Sequence, residues 1–270
     1  MKVSISCYGG HLLVPEESLT VARIIRKAAG LGFDGIDLGY YWGDDKKTEF
    51  AEAKKIAADE GIEIANYIVG NNFGNAAAEG RQKLLEAVEN VRRAIEEAAY
   101  FGCKTLRVFA GGYGDLLWDE YSGQIVDALA SCVETAEKCK VVMAIEDHGG
   151  LCKNSREQKF YIEQVKSPWL GATCDIGNYW WSGSQLPEDA VSDIADCVAM
   201  VHVKDLQIIN NTLVPVPVGE GVIDFETCFR ILVDAGYTGY LTLEYECSIG
   251  SPVQGITTSL VNIRRFATGC

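Results

Sequence analysis

Eight short runs rich in apolar and β-branched residues alternate along the chain with eight longer amphipathic stretches, and this alternation is what most narrows the fold. The predicted strands are Val3–Cys7, Gly35–Leu38, Glu63–Val69, Thr105–Phe109, Val141–Glu146, Gly171–Asp175, Met200–Val203 and Tyr240–Tyr245. Between them, Leu84, Val88, Val91, Ile95 and Ala98 repeat at helical spacing, as do Ile125, Leu129, Cys132, Ala136 and Cys139. Thr20–Ala29, Thr48–Glu60, Ser155–Lys166, Pro187–Asp196, Phe225–Ala235 and Pro252–Phe266 complete eight predicted helices. Gly32, Gly61, Gly102 and Gly236 follow helices, where C-terminal caps belong. Strict βα alternation implies a parallel sheet. Eight units within 270 residues fit a closed (β/α)8 TIM barrel better than an open doubly wound sheet. No Gly-x-Gly-x-x-Gly loop follows the first strand, which argues against a dinucleotide fold. No linker or composition break interrupts the chain, so residues 1–270 are expected to form one domain.

Charge and cysteine content remove other classes. The balance of 24 basic and 38 acidic residues, −14 overall, lacks the basic footprint of a nucleic-acid binder. Ten cysteines in 270 residues fall well below the roughly 8–10% of small disulfide scaffolds, and none form a Cys-x-x-Cys pair. They read as reduced, small hydrophobes packed in the core. No apolar run is long enough for a membrane span, and Met1–Gly10 lacks the pattern of a signal peptide. A cytoplasmic protein is expected.

In such barrels the chemistry sits at the C-terminal ends of the strands. Four consecutive predicted strands end in Glu146, Asp175, His202 and Glu244, spaced 29, 27 and 42 residues apart. One such carboxylate alone reads more naturally as a helix cap or ion-pair partner, and a lone histidine as a hydrogen-bonded core residue. Four at successive strand ends are hard to obtain by chance. Three converging carboxylates would repel and raise one another's pKa unless a cation neutralised them. A divalent metal held by these carboxylates and the imidazole satisfies that requirement. The oxygen-rich set suits Mn²⁺ or Mg²⁺, with Co²⁺, Fe²⁺ or Zn²⁺ as further options.

Glu-Asp-His-Gly-Gly at 146–150, Cys-Asp-Ile-Gly-Asn at 174–178, His-Val-Lys-Asp at 202–205 and Leu-Glu-Tyr-Glu at 243–246 resemble the xylose isomerase-like TIM barrel superfamily of sugar phosphate isomerases and epimerases. Gly-Phe-Asp-Gly-Ile-Asp at 32–37 is similar to its second strand, and Gly219-Glu220-Gly221 with Asp224-Phe225 to the loop before its seventh helix. The resemblance covers essentially the whole chain. It implies that Glu146, Asp175, His202 and Glu244 are the metal ligands, that Mn²⁺ is the first choice, and that Glu146 and Glu244 are the acid/base pair. The expected activity is that of a divalent-metal-dependent isomerase or epimerase of a sugar or related polyhydroxy carbonyl compound, moving a proton through a metal-stabilised enediolate. A lyase or dehydratase acting on a keto-sugar or keto-inositol is the alternative, and a non-catalytic sugar-binding barrel a third reading. The apurinic endonucleases of this group use a histidine-rich three-zinc cluster. This chain has only His11, His148 and His202, with Asn178 where a further histidine belongs. Cys152 and Ile208 stand where ketose 3-epimerases usually carry a glutamate and an arginine, so the carbon acted on could differ from theirs.

For a carbohydrate substrate, five further residues are candidate contacts. His148 could touch a hydroxyl or be an ordinary loop histidine. Lys204 could bind a hydroxyl or phosphate, or pair with Glu246 or Asp205. Asn66, at the end of the third predicted strand, could hold a hydroxyl or form a turn. Arg107 could bind an anionic group or a carboxylate inside the barrel. Among the aromatics after strands, Tyr8, Tyr40, Tyr41, Trp42 and Tyr179-Trp180-Trp181, Trp42 is the leading candidate to stack on substrate. The sequence leaves homo-oligomerisation open.

Overall fold

The computed structural model describes residues 1–248 and 250–269. Eight parallel strands close into a barrel in the order β1-β10-β7-β6-β5-β4-β3-β2. They are β1 (Lys2–Ser6), β2 (Gly35–Leu38), β3 (Glu63–Ile68), β4 (Thr105–Phe109), β5 (Val142–Glu146), β6 (Leu170–Asp175), β7 (Val198–Val203) and β10 (Tyr240–Leu243). Two further strands, β8 (Asp205–Ile209) and β9 (Thr212–Val216), form a separate antiparallel hairpin. The helices are α1 (Cys7–Gly10), α2 (Val21–Leu31), α3 (Lys46–Glu60), α4 (Phe73–Glu79), α5 (Arg81–Phe101) and α6 (Trp118–Cys139), then α7 (Ser155–Val165), α8 (Ile176–Trp181), α9 (Pro187–Ile194), α10 (Phe225–Asp234) and α11 (Pro252–Thr268).

Short-range chemistry explains most boundaries. The Thr20 side chain accepts from the Arg23 N–H to start α2, and Gly32 ends it at φ +90°, a conformation that costs a residue with a Cβ. Val21, Ile24, Ile25 and Ala28 form its buried stripe. Burying a valine or isoleucine side chain stabilises by about 1.5–3 kcal/mol, so this face and not intrinsic propensity holds the helix in place. Gly61 and Gly102 cap α3 and α5 in the same left-handed way. The expected stripes of α5 and α6 are buried apart from their ends, Leu84 and Cys139, which are half-buried.

Several expectations need correction. Cys7 leaves the first strand because the Ser6 side chain caps the N–H of Tyr8 and starts α1. Glu244 and Tyr245 lie beyond β10, which ends at Leu243. The β8–β9 hairpin was not expected. It turns at Asn210 and Asn211, whose φ values of +50° and +61° suit a two-residue hairpin loop and are tolerated by asparagine. Helices α1, α4 and α8 were likewise not expected. No disulfide joins the nine described cysteines, though Cys139 and Cys197 are only half-buried; Cys270 lies outside the described residues.

The chain comprises two compact units, Met1–Asn66 with Val201–Cys270, and Tyr67–Met200. Within the first, Ser4 of β1 lies opposite Thr242 of β10, which lies opposite His202 of β7. In a parallel sheet such a row points to one side, and all three residues are fully buried. Within the second, Phe109, Glu146 and Thr173 form the corresponding row on β4, β5 and β6. Arg107 and Asp175 share their parity.

Candidate active site

One ligand atom from each of Glu146, Asp175, His202 and Glu244 lies within 4.8 Å of those of the other three, and all four residues are buried.

In the first unit, Glu244 is gripped at both oxygens. His202 Nδ1 is 3.3 Å from Oε1, and the Lys204 ammonium is 3.1 Å from Oε2. Lys204 also reaches Glu246 at 2.8 Å while its side chain is only 2% exposed. Of the readings open for Lys204, the structure displays the ion pair with Glu246. The Asp205 carboxylate accepts from the backbone N–H groups of Leu206, Gly219, Gly221 and Ile223 at 2.8, 2.8, 2.9 and 3.4 Å. Burial raises its pKa, and these N–H donors oppose the rise. One carboxylate thus ties the end of β7 to the loop that leads into α10. Asp205→Ala removes this tie and leaves several N–H groups to find water. We expect a loss of about 2–3 kcal/mol in urea unfolding. A loss below about 0.5 kcal/mol would mean that the loop holds itself.

Asp37 lies in the same unit, fully buried. Its oxygens accept from Asn66 Nδ2 at 3.0 Å each, from Thr242 at 3.1 Å and from Ser4 at 3.3 Å. Burial pushes its pKa up to about 6, against the opposing charge of His202 and these hydrogen bonds. Asn66 is therefore neither at a strand end nor in a turn. The pairing of Tyr67 and Ile68 with β4 carries β3 beyond it, and its amide is engaged by Asp37.

In the second unit, Arg107 Nε is 3.2 Å from Glu146 Oε2, with both side chains almost fully buried. Its guanidinium also stacks 3.9 Å over the Phe109 ring. Of the partners considered for Arg107, the structure pairs it with a carboxylate. The other Glu146 oxygen accepts from Asn178 Nδ2 at 3.1 Å and meets His148 Nδ1 at 3.0 Å. The His148 side chain is 37% exposed, so it touches both Glu146 and solvent. Asp175 Oδ1 accepts from the N–H groups of Gly177 and Asn178 and so caps α8. Asp147 accepts from the Asp175 N–H at 3.0 Å. Burial drives its pKa well up, and the negative charges of Asp175 and Glu146 push the same way.

The aromatics divide between core and surface. Tyr179 is fully buried and donates to Gln158 at 2.6 Å, so it is a packing residue. Trp42 packs on Phe50 at 4.5 Å between ring centroids and lines a cavity beside α2 and α3. Asp37, Asp147 and Asn178 are site-adjacent residues that sequence reasoning quoted within motifs but assigned no role. The signal for the first two was available: a carboxylate inside an apolar run must find partners when buried.

A hard, oxygen-rich set of three carboxylates and one imidazole fits a divalent cation. Arg107 and Lys204 offset part of the repulsion among the three clustered carboxylates, and a bound cation would offset more. This cluster could hold a metal ion.

Residues 25–265 match the xylose isomerase-like TIM barrel family. The chain belongs to that family. The L-ribulose-5-phosphate 3-epimerase UlaE of Escherichia coli strain SMS-3-5 / SECEC is 26% identical to this xylose isomerase-like barrel over 82% of the chain and 80% of its own length. Among solved structures, an L-ribulose 3-epimerase superposes with a TM-score of 0.82 at 17% identity, covering 99% of this chain and 94% of its own. The 3-keto-D-glucoside 4-epimerase YcjR of E. coli superposes with a TM-score of 0.80 at 20% identity, covering 98% and 99%. The two structural likenesses agree with the closed eight-stranded barrel.

Proposed function

We propose that this chain is a divalent-metal-dependent epimerase of a keto-sugar, with residues 1–270 acting as one barrel domain. The observation that carries this reading is the convergence of Glu146, Asp175, His202 and Glu244 within 4.8 Å. Similarity to sugar epimerases over most of the chain supports it. These four residues would hold the ion, with Mn²⁺ the first choice. When bound, the ion supplies Lewis-acid polarisation of the substrate's oxygens.

The protein's own groups do the rest. Glu146 and Glu244 form the acid/base pair: one takes the proton from the carbon beside the carbonyl, and the other returns a proton to it. Arg107 and Lys204 hold these carboxylates in place. Asp175 and His202 serve as ligands, and His148 is positioned to meet a substrate hydroxyl. The hydrogen-bonded Asp37–Asn66–Thr242–Ser4 group stiffens the wall that bears His202.

The test is a panel of free keto-sugars, sugar phosphates and inososes incubated with Mn²⁺-loaded protein in D₂O and followed by NMR. Deuterium entering at the carbon beside the carbonyl, with inversion there and no loss of mass, is the expected result. Loss of water or an aglycone would make the enzyme a lyase. No exchange across the panel would refute the catalytic reading.

A further inference from the structure

A cavity of 620 Å³ opens between α2 and α3, lined among others by Arg23, Tyr41, Trp42, Glu49 and Glu52. Arg23 lies in the first turn of α2 and Glu49 in that of α3. Helices in βα units begin where the preceding strands end, so the cavity lies on the face that carries catalysis in such barrels. Its volume is within the usual range for a small-ligand site, roughly 300–1,000 Å³. Aromatic faces beside arginine and glutamate are the chemistry that recognises a sugar ring: C–H groups stack on the ring faces, and charged planar groups bind neighbouring hydroxyls. The lining carries two arginines, Arg23 and Arg26, and two glutamates, Glu49 and Glu52, so its formal charges cancel, which favours an uncharged ligand.

Aromatic rings continue from this cavity. Tyr41 lies 5.1 Å from His11 and 6.4 Å from Tyr40 between ring centroids. Tyr8 lies 6.0 Å from His11 and 6.3 Å from Tyr40, and is 46% exposed. Tyr8 is followed by Gly9, where a Cβ would come within 2.7 Å of the Tyr245 backbone nitrogen. Only glycine permits this approach, and it brings the backbone that follows Tyr8 against the residue next to Glu244. Tyr41 itself holds φ at +67°, a strained conformation for tyrosine that persists only where the surroundings enforce it. Glu49 braces the same loop, accepting from the Gly43 N–H with both oxygens.

We propose that this cavity and the adjoining rings form a distal carbohydrate subsite, so that the substrate is an unphosphorylated keto-sugar carrying a further ring as a glycoside. The substrate part of this inference rests on the epimerase reading above; the subsite part can be read without it.

The test titrates phenyl β-D-glucopyranoside calorimetrically into Mn²⁺-loaded protein. Trp42→Ala should weaken binding about tenfold, while Trp42→Phe retains most of it. Glu52→Gln, at an exposed position, should weaken binding by about threefold through lost hydroxyl contacts. Mn²⁺ affinity should match wild type in each variant, and Trp42→Phe and Glu52→Gln should also keep the wild-type melting temperature, which separates lost contact from misfolding. Absence of binding to wild type, or equal affinity in all variants, would overturn the subsite. Wild-type exchange on free keto-sugars in D₂O reads the epimerase separately. A protein that exchanges but ignores the glucoside loses the subsite, whereas one that binds the glucoside but exchanges nothing loses the epimerase and, with it, the glycoside substrate.

Discussion

Glu146→Gln and Glu244→Gln should each lower kcat by about 10²–10⁴-fold, the range expected when a positioned acid or base is removed. Glutamine keeps the length and volume of the side chain, so packing changes little. It cannot take up a proton at neutral pH, and it presents one acceptor oxygen where the carboxylate has two. In Glu146→Gln, the buried Arg107 guanidinium loses the Glu146 charge at 3.2 Å. In Glu244→Gln, the buried Lys204 ammonium loses the Glu244 charge at 3.1 Å and keeps Glu246 at 2.8 Å. Each variant should also cost some stability, and the two losses of turnover should be similar. Steady-state rates and urea unfolding measured on the same preparations test both statements. Wild-type turnover in either variant would remove that residue from the acid/base pair.

Chelation should have the second-largest effect. Dialysis against EDTA is expected to abolish proton exchange and lower the melting temperature, and added Mn²⁺ should restore both. A ligand at 100 times its Kd stabilises the folded state by about 2.7 kcal/mol. For a chain of this size, that corresponds to a shift of roughly 5–10 °C. The direction follows from the donors: three carboxylates lie within 4.8 Å of one another, and a bound divalent cation would relieve their mutual repulsion. Asp175→Asn should lose most of the Mn²⁺-dependent shift, because an amide is a weaker ligand and carries no charge. If melting temperature and exchange are indifferent to EDTA and to Mn²⁺, these residues form a static ion-pair network and not a metal centre.

Local signals in the chain mark out the barrel well. Strands β2 and β4 begin and end where their apolar runs do, and Thr20, Gly32, Gly61 and Gly102 bound their helices through caps made within one turn. The β8–β9 hairpin was legible too. Its Asn-Asn pair between Gln207-Ile208-Ile209 and Thr212-Leu213-Val214 is a turn signal. Helix α8 was harder to foresee, because Asp175 serves at once as a strand-end carboxylate and as the cap of the next helix.

The sequence by itself determined the eight-fold alternation, the caps and the four strand-end residues whose atoms converge. Each of these depends on periodicity or on neighbours a few residues away. Only the tertiary structure decided that Arg107 pairs with Glu146, that Lys204 bridges Glu244 and Glu246, and that Asn66 is held by Asp37. These partnerships join residues 29 to 42 positions apart in sequence. Strand register and the cost of leaving a buried charge unpaired select among partners that the chain alone leaves equivalent.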